Sequence, residues 1–397
     1  MTGRRVSFIV PSHNAERTLA RCLTSIGALR GDFELAEILV VDDGSTDATA
    51  QIARTFSVRV VSVNFLNRAA TRNYGARFAT GDWLAFVDSD CVLDAGWLES
   101  LLTGMVGPRI GAAQGAIIPI GLTNNALDRY RRSIYDICRT ACQHTPVIPT
   151  ISAAAALYRK SAFDEVGGFD ETFSDYEDMD LSWRLLARGY STIESADAIA
   201  ETYFDPPTAW AYLKRLYQKG RAAYRLFTRW AHPLRTTRTH LFRRCMNRTF
   251  LPPAQIAQLI RQHQWSALLN LPFVLSFRLG YARQKMSFRA PAIPPAPAAR
   301  PSGLRFRTDR TTYELAPDFR LAADDERILL VNWSELTAIE CRDFTRSFWA
   351  NVLRESSHAH SISSRLADEF DIAPDELRSV VADYITKLQK QNIVVEC

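Results

Sequence analysis

The sequence predicts an α/β fold with a Rossmann-like, mostly parallel sheet over its first half, and three observations carry that prediction. Short apolar runs at 6–10, 38–41 and 83–87 have the length of buried strands, and each stops at a polar loop. Segments of helical length and pattern separate them. The loops are Val10-Pro11-Ser12-His13-Asn14, Asp42-Asp43-Gly44-Ser45-Thr46-Asp47 and Asp88-Ser89-Asp90. They fall at carboxyl ends of strands, where open α/β sheets gather their ligands. Acidic groups collected at that edge point to a nucleotide and a divalent metal.

The elements follow in order. After the strand at 6–10, a helix fits 15–29, with Leu19, Cys22, Leu23 and Ile26 on one face. A strand at 36–41 leads to a helix near 46–56, with Ser45 or Thr46 as N-cap. A strand at 58–63, a helix at 68–79 and the strand at 83–87 come next, and Asp94 caps a helix reaching about Met105. Stretches of small residues at 110–119 and 150–158 read as strands, with helices at 124–140 and 176–189 around them. Alternation of this kind predicts helices on both faces of the sheet.

Beyond 205 the pattern turns helical. Residues 208–229 place Leu213, Leu216, Tyr217, Tyr224 and Phe227 between Lys and Arg. The Pro/Ala-rich run 290–303 cannot pack a core and reads as a semi-rigid linker. A hairpin follows, 319–322 and 327–332 around a turn at 324–326, then a strand at 337–341. Helices are expected at about 344–354, 359–370 and 374–392, the last opening on Pro374-Asp375-Glu376. The expected division is 1–205 catalytic, 206–289 a basic helical extension, 290–303 linker, and 304–397 a small α+β, winged-helix-like domain.

Charge is unevenly spread. Residues 204–303 hold 17 Lys and Arg against one acidic residue, whereas 1–203 and 304–397 are net acidic. So basic a segment wants an anionic partner, and 206–289 suits peripheral contact with an anionic membrane. An acidic C-terminal part argues against nucleic acid, where phosphate contacts dominate affinity. Seven scattered cysteines without a CxxC pair suggest a reduced, cytoplasmic protein. Cys138, Cys142 and His144 are a weak metal candidate beside the plainer reading of buried thiols. No run reaches the roughly 18 apolar residues of a membrane span.

Two further motifs complete a pattern: residues 70–82 before the Asp88-Ser89-Asp90 strand, and 165–173 before 176–190. Together with the three loops they resemble the inverting family 2 glycosyltransferases of GT-A fold, across residues 5–203. The resemblance implies a nucleotide, UDP in a UDP-sugar, against Pro11, His13 and Asp43, with the Asp43 carboxylate accepting the uracil imide hydrogen. It implies Arg72 as a diphosphate or ribose contact, Asp88 as a sugar or ribose contact, and Asp90 as ligand of Mg²⁺ or Mn²⁺. It makes Asp178 the catalytic base, with Glu177 beside it. The chemistry agrees: an acceptor hydroxyl needs a positioned carboxylate to take its proton as the sugar carbon is attacked.

Two departures from the family stand out. The stretch 199–205 lacks the histidine that many relatives carry after the last sheet strand, leaving Glu201 or Tyr203 as stand-ins. The Gln-Xxx-Xxx-Arg-Trp signature of processive synthases is absent, since Gln218-Lys219-Gly220-Arg221-Ala222 does not match it. Transfer of a single sugar is therefore expected.

Residues 313–395 resemble the PqqD-like domains that recognise leader peptides of ribosomally made, modified peptides. The cues are the short strands, Trp333 to Glu340, Phe348 to Leu353, Ala367 to Ile372, and the final Leu388 to Val394. The resemblance implies a leader added as a strand beside Thr337, Ile339 and Cys341, with Val380, Tyr384 and Leu388 as the opposing wall. A winged-helix unit used for oligomerisation stays open beside it. Three functional readings result: a transferase acting on a precursor peptide, a membrane-associated transferase acting on a lipid-linked or envelope acceptor, and a binding protein with an idle transferase fold.

Overall fold

The computed structural model describes residues 4–105, 107–120, 125–133, 150–203, 208–231, 250, 253–262, 265–287, 305–307, 312–315, 319–323, 328–332, 337–341, 348–349, 352, 374–391 and 393–396. In chain order the elements are β1 (Arg5–Ser12), α1 (Leu19–Gly27), β2 (Glu34–Asp43), α2 (Thr49–Ala53), β3 (Arg59–Val63), α3 (Arg68–Phe78), β4 (Trp83–Val87), β5 (Cys91–Leu93), α4 (Trp97–Gly104) and β6 (Ile110–Pro119). A helical stretch at 126–133 is followed by β7 (Ala155–Arg159), α5 (Lys160–Glu165), α6 (Glu177–Ala187), β8 (Ser191–Thr202) and α7 (Ala209–Trp230). Then come α8 (Pro253–Arg261), a 3-10 turn (Trp265–Leu269), α9 (Asn270–Ser287), β9 (Arg305–Arg307), β10 (Thr312–Leu315), β11 (Phe319–Ala323), β12 (Ile328–Asn332), β13 (Thr337–Cys341), α10 (Pro374–Lys390) and β14 (Val394–Glu396).

The main sheet runs β13-β12-β11-β8-β6-β7-β4-β1-β2-β3, with β5 also paired to β8. Strands β3, β2, β1 and β4 are parallel, as predicted. Strand β7 is antiparallel to both β4 and β6, so the sheet is mixed α/β rather than uniformly parallel. Strand periodicity explains the core: Phe8, Val10, Val40, Ala85 and Val87 point to one face, under α1 and α4. Their neighbours Ile9, Leu39, Leu84 and Phe86 point to the other, under α3, α5 and α6. A strand buried on both faces reads as a continuous apolar run, and that made these strands visible in sequence.

Local differences from the sequence reading have physical reasons. Helix α2 is only Thr49–Ala53, and Ser45 and Thr46 do not cap it. Their groups are bonded to the Asn14 turn instead: the Asn14 N–H donates to Ser45 Oγ, and Thr46 N–H donates to Asn14 Oδ1. Gly96, not Asp94, is the N-cap of α4, although the Asp94 side chain accepts from Gly96 N–H. The linker 290–303, the turn 324–326, the helix at 359–370 and the Cys138–His144 group lie outside the described residues.

A second core forms beneath α6. Trp183 and Leu186 of α6 meet Leu216, Ala223, Leu226, Phe227 and Trp230 of α7 and Phe273 and Phe277 of α9. Helices α7 and α9 run side by side in the same direction, with Tyr212 against Phe273 and Ser276 Oγ donating to Leu213 O. Their axes close on two glycines. A Cβ on Gly220 would stand 2.0 Å from Phe277 O, and one on Gly280 1.9 Å from Tyr217 O. The opposite side of α9 leaves Leu271, Leu275, Leu279 and Met286 more than half exposed.

The C-terminal strands continue the sheet. Strand β11 pairs parallel to β8 at Ala322–Thr192 and Ala323–Ile193, and β12 and β13 follow antiparallel. The hairpin and third strand stand where the sequence placed them. Strands β9, β10 and β14 form a separate three-stranded sheet that the sequence reading did not anticipate.

Candidate active site

The site assembles at the carboxyl ends of β1, β2 and β4 and the N-terminus of α6. At the β1 end Pro11 is buried in register with Val41, and exposed His13 holds its Nδ1 2.7 Å from Asp43 O. The Asp43 carboxylate is occupied by the protein. Its Oδ1 accepts from Phe65 N–H (2.6 Å) and Leu66 N–H (2.8 Å), and its Oδ2 from Asn67 N–H (3.1 Å) and Thr71 Oγ1 (2.7 Å). Burial opposes its charge, but these bonds, led by Thr71, hold its pKa below the usual carboxylate range. Four bonds fill a carboxylate's acceptor sites. Through these bonds Asp43 shapes the 64–67 loop that starts α3.

Arg72 is held by the protein as well. It is 2% exposed and bridges two carboxylates, donating from Nη2 to Asp88 at 2.6 Å and from Nη1 to Glu177 at 2.8 Å. The Phe169 ring lies 5.6 Å below its guanidinium. A buried arginine committed to two acids ties the β4 turn to α6 and positions both, while it also lines the cavity beside them.

Asp90 closes the β4 turn. Its carbonyl accepts from Tyr203 N–H at 2.8 Å, and Tyr203 Oη in turn donates to Glu201 at 2.6 Å. Pairing of β5 with β8 thus brings both stand-in residues beside Asp90. Burial, then the nearby charge of Asp88, push the Asp90 carboxyl up to about 6. Among the described residues Asp90 makes no salt bridge, and no three His, Cys, Asp or Glu side chains form a metal cage. Two carboxylates on one turn, one of them feeling only the more distant charge of Arg215, suit a hard ion that takes its remaining ligands from phosphate and water.

Asp178 sits in the first turn of α6, entered through Tyr176 at φ +68°, a left-handed conformation that a non-glycine residue adopts at a cost. Asp178 Oδ1 accepts from Met179 N–H at 2.8 Å. Burial first, and Glu177 beside it, raise its pKa to about 6, against the pull of Arg72 and Lys219. A carboxylate poised there is suited to general-base work near neutral pH.

Two cations that the sequence reading left on a basic helix surface complete the site. Arg215 and Lys219 of α7, one turn apart, line a cavity of about 270 Å³ together with Arg68, Arg72, Asp88, Asp175, Glu177 and Asp178. Lys219 lies 5.8 Å from the Tyr176 ring and, among the described residues, has no ion pair. Burial first, then the adjacent Arg215, depress its pKa. Helix α7 is fixed on α6 by Trp230 Nε1 donating to the fully buried Asp180 at 2.8 Å. The sequence signal was two cations four residues apart on a segment with almost no acid to pair them.

The C-terminal candidates divide. Strand β13 is the sheet's outer strand among the described residues, so the backbone of Thr337, Ile339 and Cys341 lies at an edge. Cys341 and Leu388 are buried, Tyr384 is partly buried and accepts from Trp349 Nε1 at 3.0 Å, and Val380 is 43% exposed. Of the expected wall, Leu388 packs in the same buried cluster as Val381, Ile385 and Ile393, Tyr384 lies partly buried against it, and Val380 is exposed.

The Glycosyl transferase family 2 model matches residues 7–167. Over 195 residues the chain is 34% identical to the pre-mycofactocin glycosyltransferase of Mycobacterium tuberculosis, which covers 47% of this chain and 40% of that one. It is 28% identical over 203 residues to the glycosyltransferase AglE of Haloferax volcanii, covering 49% of this chain and 65% of that one. The chain thus spans less than two thirds of these relatives. Among solved structures, a mannosyltransferase of Pyrobaculum calidifontis in complex with GDP-Man and Mn²⁺ aligns at a TM-score of 0.47 and 18% identity, over 73% of this chain and 78% of that one. Residues 7–167 are thus the part of the chain that is similar to glycosyl transferase family 2.

Proposed function

We propose that the chain transfers a single sugar, with inversion, from a nucleoside-diphosphate sugar to a precursor peptide. The observation that supports it most is Asp178, partly buried in the lining of the cavity with a pKa raised to about 6. Asp178 takes the proton of the acceptor hydroxyl or thiol. The acceptor atom bonds to the anomeric carbon from the face opposite the diphosphate, and the breaking bond leaves its electron pair on that diphosphate. Arg215 and Lys219 stand where that anion's charge develops, and Arg72 keeps Glu177 and Asp88 in place. A divalent cation held by Asp90, with Asp88 behind it, would add Lewis-acid neutralisation of the leaving group.

The peptide part rests on β13, the outer strand of the sheet among the described residues, where an extended segment could add as a further strand. A lipid-linked acceptor is the second reading, favoured by the exposed apolar row of α9. The test is mass spectrometry of short peptides encoded beside the gene after incubation with UDP-sugars and a divalent metal. A hexose-sized mass gain, lost in Asp178→Asn and reduced by proline at whichever of Ala338 and Ile339 faces outward, is expected. Sugar appearing only on lipid extracts would overturn the peptide reading.

A further inference from the structure

Helix α9 is apolar on two opposite sides. Phe273, Phe277 and Gly280 pack against α7. The other side carries Leu271 (62% exposed), Leu275 (57%), Leu279 (53%) and Met286 (75%). At about 100° per residue these four fall within roughly 80° of arc, directly away from the packed side. Arg278 and Lys285 flank the row on one side and Arg283 on the other, all exposed. A surface helix of a globular domain normally turns polar residues to water, so a second apolar face marks a contact surface.

We propose that this face of α9 lies flat on an anionic phospholipid bilayer, the leucines in the acyl boundary and the flanking cations among the headgroups. Charge selects that occupant. Residues 204–303 carry 17 basic residues against one acidic residue, so a second copy would bring like charge against like, whereas anionic headgroups are complementary. No helix among the described residues is long and apolar enough to cross a membrane, so the contact is in-plane. Long Lys and Arg stems beside an apolar row can cover it while their charges stay at headgroup level. The surface is separate from the catalytic cavity and does not rest on the transferase reading.

The experiment is co-sedimentation of the full chain with vesicles of phosphatidylcholine alone and of phosphatidylcholine with phosphatidylglycerol. Binding to the anionic vesicles, weaker by about tenfold on the neutral ones and weakened by salt, is expected. The pair Leu275→Glu and Leu279→Glu should lower it at least about tenfold, and the milder Leu275→Ser with Leu279→Ser should lower it too. Because these side chains are exposed, the serine pair's melting temperature without vesicles should match the parent chain, separating lost docking from lost fold. No binding to either vesicle, or binding that ignores both leucine pairs, overturns the proposal. So does a concentration-dependent dimer that the leucine variants dissolve.

Discussion

Arg72 and Glu177, 105 positions apart in sequence, meet at 2.8 Å in a buried ion pair, and the same guanidinium reaches Asp88 at 2.6 Å. Removing one partner of such a pair strands charge in the interior. Arg72→Met should therefore destabilise the fold by about 3–5 kcal/mol, read from denaturant unfolding. Arg72→Lys keeps the charge but not the fork, and should recover only part of the stability and little of the activity.

The pH profile of transfer should follow Asp178. Its carboxyl, raised to about 6, must be ionised to accept a proton. Below that pH kcat/KM should fall about tenfold per unit, with a plateau above it. A profile flat down to the ordinary aspartate range would remove Asp178 from the role.

Stability should respond in the opposite sense. A folded-state pKa above the unfolded value means that the folded chain holds the proton more tightly, so stability declines as pH rises from about 4 to about 6. At pH 7 the ionised side chain is a strain of about 1–3 kcal/mol. Asp178→Asn should thus unfold at a higher temperature than the parent at pH 7 while transferring no sugar, and the gain should vanish near pH 3.5.

Lys219 and Arg215 should be read out through the nucleotide product. Lys219→Met and Arg215→Met should each weaken inhibition by a nucleoside diphosphate about tenfold or more, with a smaller effect on the nucleoside alone. Lys219→Arg should recover much of it. Calorimetric titration distinguishes this from a general loss of structure.

The glycines between α7 and α9 should tolerate no side chain. At 2.0 Å and 1.9 Å the obstacle is backbone carbonyl, which cannot swing aside. Gly220→Val or Gly280→Val should separate the helices and lose soluble protein, whereas Gly27→Ala, with nothing within 4 Å, should be neutral or slightly stabilising.

Much of the first half was legible because its signals are local. The strand Trp83–Val87 and the helix 68–79 follow from short-range pattern, and Asn67 caps α3 as a side-chain acceptor should. Asp88, Glu177 and Asp178 line one cavity, and Asp90 stands two residues further along the same β4 turn. What escaped depends on distant partners. Nothing near Asp43 announces that the 65–67 amides and Thr71 will saturate it, nor near Arg72 that acids 16 and 105 residues away will hold it. The antiparallel insertion of β7 is a matter of topology that strand pattern does not encode. Lys219 and Arg215 escaped because a basic helix looks the same whether it faces water or a cavity.

The junction of β11 with β8 has a geometric consequence. It meets β8 at Thr192 and Ile193, while β5, beside Asp90, meets β8 at Ala200 to Thr202. Strand β8 bulges between Ser195 and Ile199, so the interval matches only the β6 stretch from Ala112 to Pro119, and with two lateral strand spacings the outer strand lies roughly 20 Å from the β4 turn. Whatever segment docks on that strand is held at a set radius instead of on a swinging arm. An extended polypeptide covers that span in on the order of six residues. On the peptide reading proposed above, that distance would act as a ruler, selecting an acceptor by its count of residues from the docked segment, whatever side chains lie around it.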